Sequence, residues 1–396
     1  MRGHRIANLK RLTAKVILAI DPERVIALTQ DFVRIPSVSG QEGELGQFMA
    51  EKLKALGFDD VELQEADENR FNVLCTLRGK HPGPTFLFEG HLDTVQTEGM
   101  AIDPYSGDFS DGRIYGRGAS DMKGGLAAMV EALKAIKDSG VTFDGTIIYA
   151  AVVGEEGAGK GLDKLIASGL KANMGLVGEA TELIPAIGNK GVAVGDITTK
   201  GLATHSSVPH FGVNAIYKMC KVMEGIQRLP LLQEENPIWG RSTVNTSTIE
   251  GGRWLTCVPD RCRITFDFRL NPEHTVEMVK VQLEKMLQAL REEDPGFEAE
   301  LGIATVPGAF ISPDSEIVNA ARKAVQQVLG KDLGVSAAPY WTDAAFLIEK
   351  AQIPTIILGP GRAREAHSSN DWVAADQVVN AAKIYASLAI HMLSRS

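Results

Sequence analysis

The chain has 396 residues, 44% of them hydrophobic and 23% charged, enough apolar content to bury a large core, which excludes a disordered or fibrous protein. At roughly 100–200 residues per domain, this length predicts two or three domains. A net charge of −9, from 41 Lys+Arg against 50 Asp+Glu, argues against nucleic acid or an anionic membrane as the main partner.

The basic N-terminal residues Arg2, Arg5, Lys10 and Arg11 precede a short apolar stretch that runs into Asp21-Pro22-Glu23. That pattern predicts neither a signal peptide nor a membrane span, and a cytoplasmic protein is the expectation. After Asp21 the spacing of Val25, Ile26, Leu28, Phe32 and Val33 predicts a helix, and a second is expected over 41–56, with Phe48, Met49, Leu53 and Leu56 on one face. Short apolar runs bounded by Gly or Pro at 72–77, 85–89, 146–153, 175–177 and 355–358 predict strands. Helices are expected between and after them at 122–138, 159–169, 314–329, 343–350 and 375–394. This alternation predicts an α/β fold with a mostly parallel central sheet.

The stretch 190–302 reads differently. It predicts a strand at 191–199, a helix at 213–228, strands at 242–249 and 262–269 joined by Gly251-Gly252, a helix at 274–291 and a strand at 297–304. The order β-α-β-β-α-β is that of a ferredoxin-like α+β module, here inserted into the first domain. The expected division is therefore 1–189 and 303–396 for the main domain, with 190–302 for the insert. Cys75, Cys220, Cys257 and Cys262 form no C-x-x-C pair and are expected as free thiols.

Acidic residues and histidines follow the predicted strands. Gly90-His91-Leu92-Asp93-Thr94-Val95 closes one strand, Gly154-Glu155-Glu156-Gly157 another and Gly178-Glu179 a third. Gly359-Pro360-Gly361 leads on to His367, and Asp121 sits at a helix start in Gly116-Arg117-Gly118-Ala119-Ser120-Asp121. Ligands of open α/β sheets bind beyond the carboxyl ends of the strands. Two histidines and five carboxylates gathered there would repel and shift one another unless cations neutralise them. Two divalent ions would do so, and imidazoles with carboxylates suit zinc. Paired metals about 3.5–4 Å apart clamp the oxygens of a hydrolytic reaction. The segment Gly154 to Gly161 nearly matches a P-loop, but it lacks the hydroxyl after Lys160 and carries two carboxylates that would repel phosphate. Taken singly, an H-x-D or a Glu-Glu is more often structural; the joint placement favours a metal site.

These motifs resemble those of the M20 metallopeptidase and amidohydrolase family, over about residues 25 to 390. The resemblance implies a zinc hydrolase domain with an inserted lid and dimerisation domain. It further implies two Zn²⁺ per subunit (Co²⁺ or Mn²⁺ as substitutes), with His91 and Glu179 on one, His367 and Glu156 on the other, and Asp121 bridging them next to a cis peptide. Glu155 would be the general base and Asp93 would orient His91. His205 would reach across a homodimer to the oxyanion. Arg269 would hold a substrate carboxylate, with Thr256, where the family usually has Asn, and Gly361 as further substrate contacts. Glu at position 179 goes with deacylases and carboxypeptidases in this family. The implied activity is hydrolysis of an N-acyl amino acid, as by acetylornithine deacetylase. The alternatives are a carboxypeptidase, a hydrolase of a non-peptide amide or aromatic amine, and a scaffold that has lost catalysis.

Overall fold

The computed structural model describes residues 2–157 and 160–394; the side chains of residues 2–6 and 276 are outside the description. Two compact units emerge: one up to Gly188 with Ile311–Ser336 and the chain from Thr342 onward, the other Asn189–Phe310 with Ala337–Trp341. The second unit therefore runs past the expected boundary at 302, which falls inside the strand Glu298–Val306, and takes in a short second segment as well.

The first unit is built on a sheet in which seven strands follow the order Val61–Asp67, Arg70–Arg78, Asp144–Val152, His81–His91, Met174–Val177, Thr355–Ile357, Ala186–Asn189. Its four central strands, from Asp144–Val152 to Thr355–Ile357, are mutually parallel, and the flanking pairs are antiparallel. The central strands read as continuous apolar runs because helices cover them, as buried parallel strands require. Helices Gly124–Ser139 and Ala375–Leu393 bury nearly every apolar side chain they carry.

Two expectations fall short here. Helix Arg2–Leu18 was not predicted, although Leu9, Leu12, Thr13, Val16 and Ile20 line up at helical spacing and Thr13 and Val16 are buried. A threonine in the core stripe dilutes the apolar pattern, and packing against the last helix supplies what the local sequence lacks. Strand Val61–Asp67 is mostly polar and buries no residue fully, so its pairing with Arg70–Arg78, not its composition, makes it a strand. The next helix fits its signals: Asp21 caps it by accepting from the Glu23 and Arg24 N–H groups, and Pro22 occupies its first turn. Helix Lys160–Ala167 falls within 159–169, and Gly159 lies outside the described residues.

The second unit is a four-stranded antiparallel sheet in the order Thr243–Gly251, Arg261–Leu270, Gly191–Lys200, Glu298–Val306. Helices Ala215–Gln227 and Val276–Glu293 share with it a core that includes Ile197, Met219, Val222, Ile264, Phe266, Phe268 and Leu283. The strand and helix order is that of the split βαβ. The link between its two middle strands is a nine-residue loop, 252–260, rather than a two-glycine turn, and it holds Trp254 and Leu255 exposed. Among the described residues no helix is long and apolar enough to cross a membrane.

Candidate metal centre

Three adjacent parallel strands deliver the site. Asp144–Val152 runs into Glu155 and Glu156, His81–His91 ends on His91, and Met174–Val177 runs into Glu179. Side chains leaving the same ends of neighbouring strands, about 4.8 Å apart, converge without any long loop having to be ordered. Asp121 arrives from the segment that starts helix Gly124–Ser139, and its peptide bond to Met122 is cis. His367 arrives on the loop after strand Thr355–Ile357, in a left-handed conformation with φ +57°.

Asp121 is the centre of the cluster. Its Oδ1 lies 3.0 Å from His91 Nε2 and its Oδ2 lies 3.2 Å from His367 Nε2. Glu179 Oε1 stands 3.3 Å from His91 Nε2, and Glu156 Oε1 stands 2.7 Å from His367 Nε2. Each imidazole thus meets one oxygen of Asp121 and one glutamate of its own. Three overlapping triads, His91-Asp121-Glu179, Asp121-Glu156-His367 and His91-Glu155-Glu156, each have their donor atoms within 4.8 Å of one another.

A profile of the peptidase family M20/M25/M40 matches residues 87–391, well over half of the chain and a span that contains the whole cluster. The chain belongs to this family. Among its relatives are an N-formyl-4-amino-5-aminomethyl-2-methylpyrimidine deformylase of Halalkalibacterium halodurans, 28% identical over 91% of this chain and 92% of that protein, and a succinyl-diaminopimelate desuccinylase of Rhodospirillum centenum, 29% identical over 93% of this chain and 96% of that protein. A solved tripeptidase from Staphylococcus aureus superposes with a TM-score of 0.80 at 26% identity, covering 95% of this chain and all of its own.

The donor set of this M20 chain fits divalent cations. Burial alone would lower the pKa of His91, but its bonds to Asp121 and Glu179 outweigh that and hold it well above the usual imidazole value. Asp121 and Glu156 push His367 up to about 10, and burial with the neighbouring Asp121 charge lifts Glu179 to about 8. Burial, with the charges of Glu179, Asp343 and Glu156 added, also raises Glu155 well above the carboxylate range. These shifts share one cause, carboxylates crowded in a buried site, and cations bound by imidazole nitrogen and carboxylate oxygen would relieve it.

Asp93 supports the cluster in two ways. Its backbone carbonyl lies 2.9 Å from His91 Nδ1, which fixes that nitrogen as a donor and leaves Nε2, the nitrogen facing Asp121, as the one that could bind a cation. Its carboxylate, expected to do this orienting, stands 3.7 Å from the ring and is occupied elsewhere. Oδ1 accepts from the N–H groups of Gly154 and Glu155, and Oδ2 accepts from the Glu156 N–H and the Ser39 hydroxyl. The side chain therefore shapes the loop that presents Glu155 and Glu156.

The structure brings together His91, Asp93, Asp121, Glu155, Glu156, Glu179 and His367. His205, Thr256 and Arg269 belong to the second unit. There His205 and Thr256 share one loop cluster: His205 bridges Cys257, and the Ser206 N–H donates to the Thr256 carbonyl. Arg269 lies 2.9 Å from Asp267, so its guanidinium already has one carboxylate partner. Gly361, expected as a substrate contact, holds a tightly packed position. It is buried at φ +90°, its N–H is given to Gln377, its carbonyl accepts from Glu182, and a Cβ there would fall 2.3 Å from Ser120 Oγ.

Sequence reasoning passed over Glu89 and Asp343. Glu89 is two residues before His91 and so on the same face of its strand, fully buried. Burial and the nearby Asp343 drive its carboxyl well up, and burial lifts Asp343 to about 7. Neither carboxyl receives a bond from an N–H or hydroxyl among the described residues, so nothing there offsets the burial that favours their protonated forms. The period-2 position of Glu89 was the available signal; nothing near Asp343 in the chain pointed to it.

Proposed function

We propose that this protein is a dizinc amide hydrolase that releases the acyl group from an N-acyl amino acid or a related N-acylated amine, with Co²⁺ or Mn²⁺ able to replace zinc. One observation carries the reading: the two oxygens of Asp121 face two imidazole nitrogens, each with its own glutamate, while Glu155 stands in the same cluster outside those two pairs. His91 and Glu179 would hold one cation, His367 and Glu156 the other, with Asp121 shared. Such a pair supplies Lewis acidity, easing loss of a proton from water and neutralising charge that grows on a carbonyl oxygen.

Glu155 supplies the proton traffic. It takes a proton from the attacking water and passes it to the departing nitrogen, so a poor leaving group departs as a neutral amine. Its burial favours the protonated form that must exist between the two transfers. His205 is proposed as a donor to the oxyanion, contributed across a homodimer. The Ser207 N–H donates to its Nδ1 at 3.1 Å, which leaves the proton on Nε2, and the side chain is exposed. A ring that presents an N–H suits a developing negative oxygen. Arg269 is proposed to hold the substrate carboxylate by exchanging Asp267 for it.

The acyl-amine reading draws on Glu179 and on the curated relatives, whose names specify removal of a formyl group in one case and a succinyl group in the other. The tripeptidase favours a second reading, an exopeptidase working with the same centre. Amine release from N-formyl, N-acetyl, N-succinyl and N-aroyl amino acids and from di- and tripeptides separates them, run with Zn²⁺ or Co²⁺ and with a chelator control. Chelator-sensitive release from one N-acyl class is the expected result. Release from peptides alone would move the assignment to the peptidase reading, and release that a chelator leaves unchanged would remove the metals from the mechanism.

A further inference from the structure

Asp371 lies four residues beyond His367 and is fully buried, yet the chemistry above gives it no part. Its Oδ2 accepts from the Gly118 N–H at 2.8 Å and lies 3.3 Å from Arg117 Nη1, and its Oδ1 accepts from the Ser120 N–H at 3.2 Å. Its carbonyl accepts from the Gly116 N–H at 3.0 Å. The segment it grips is the one that ends in Asp121. That segment has little freedom left: Gly118 sits at φ +83° with Thr94 where a Cβ would be, and Ser120 exchanges two hydrogen bonds with the Arg362 backbone.

The consequence is geometric. His367 and Asp371 ride on one short stretch, and Asp371 holds the backbone that presents Asp121. The distance between His367 and the Asp121 oxygen facing it thus depends on a path of four residues and three hydrogen bonds to one carboxylate. His91 takes no part in that path, because its strand fixes it separately. We propose that Asp371 is a positioning residue for the second metal: it aims the outer oxygen of Asp121 at His367 and leaves the His91–Glu179 half of the centre to stand without it. This rests on the two-metal reading. Asp93 treats the loop of Glu155 and Glu156 in the same manner, three N–H groups to one carboxylate, so the device occurs twice in the centre.

The test titrates metal-free protein with Zn²⁺ by calorimetry, and with Co²⁺ by its visible absorption, which reports coordination geometry. Wild type, Asp371→Asn and Asp371→Ser are compared with Glu131→Gln. Glu131 is an equally buried carboxylate bound to a backbone N–H and an arginine, but between helices Pro22–Arg34 and Gly124–Ser139 and outside the centre. It therefore matches the lost stability without touching a ligand. Both Asp371 variants are expected to bind the first metal within about threefold of wild type and the second at least tenfold more weakly, with an altered cobalt spectrum, while Glu131→Gln keeps both. If Asp371→Asn does not fold, Asp371→Ser, which is smaller and retains an acceptor, decides. Two metals bound at wild-type affinity in the Asp371 variants would overturn the proposal. So would loss of the second metal in Glu131→Gln in step with stability. A wild-type protein that binds fewer than two metals would instead sink the two-metal reading itself.

Discussion

His91 and His367 meet different oxygens of Asp121 and live in different surroundings. His91 ends a central strand, its side chain is 2% exposed, and a backbone carbonyl holds its other nitrogen. His367 sits on a loop in a left-handed conformation with its side chain 51% exposed, and its ring is held by the acidic groups it would share with a metal. Both reach the same carboxylate, so the difference is one of support and not of ligand chemistry. A ligand whose orientation is set before metal arrives loses little freedom on binding, whereas one that must be ordered loses more. The buried half should therefore hold its cation more tightly, and the open half should be where cation and substrate come and go.

The sharpest way to break that contrast is to remove each imidazole in turn. His91→Ala and His367→Ala are both expected to reduce amide hydrolysis to background, but with different metal counts. His367→Ala should retain one tightly held metal after dialysis, and His91→Ala should retain less than one. Equal retention by the two variants would mean that burial and orientation do not rank the sites. Next in size is Glu155→Gln, which leaves every ligand in place. Loss of a positioned acid-base group lowers turnover by roughly 10²–10⁴-fold, and the metal content should stay at that of wild type. A variant that also lost metal would make Glu155 a ligand and leave the proton transfers without an owner.

Asp93→Asn separates the halves in a less obvious way. Asp93 neighbours His91 in sequence, yet its carboxylate binds the Gly154–Glu156 backbone, and Glu156 serves His367. Replacing one oxygen with an amide turns a donor toward those N–H groups. Removing such supporting partners costs about 10–100-fold in metal affinity or activity. The loss is expected at the outer metal, with the inner one kept, because His91 is oriented by the Asp93 carbonyl that the substitution preserves. Weakening confined to the inner metal would restore the older assignment of the carboxylate to His91.

This variant also marks where sequence reading stops. The central strands, their order of helices and the residues at their ends were legible because continuous apolar runs punctuated by Gly leave few other folds, and ligands at parallel strand ends follow from the fold. Which oxygen of Asp93 does what depends on a backbone carbonyl, and no side-chain pattern records that. Asp371 and Asp343 act on segments more than 200 residues away in the chain, so no local spacing could reveal them. The packing of Ser120 against Gly361 likewise joins two distant parts of the chain and leaves no mark in local spacing.

The smallest effect concerns the acid pair near His91. In the metal-free fold, burial holds the Asp343 proton up to about pH 7, whereas an unfolded chain releases it near its ordinary value of 3.8. Between these limits the unfolded state binds fewer protons than the native state. Stability must then fall as pH rises through that window, and the loss is complete once the native group ionises. Asparagine has no proton to lose, so Asp343→Asn should flatten the decline, leaving the parts owed to Glu89, Glu155, Glu179 and the two imidazoles. Urea midpoints of chelator-treated wild type and Asp343→Asn at pH 5 and pH 7 give the comparison directly. Wild type should lose more over that interval than the variant. Parallel losses would mean that Asp343 is ionised in the native state throughout, so that the buried half would carry a further full negative charge, and its grip on a cation would then come from that charge as much as from a preset imidazole.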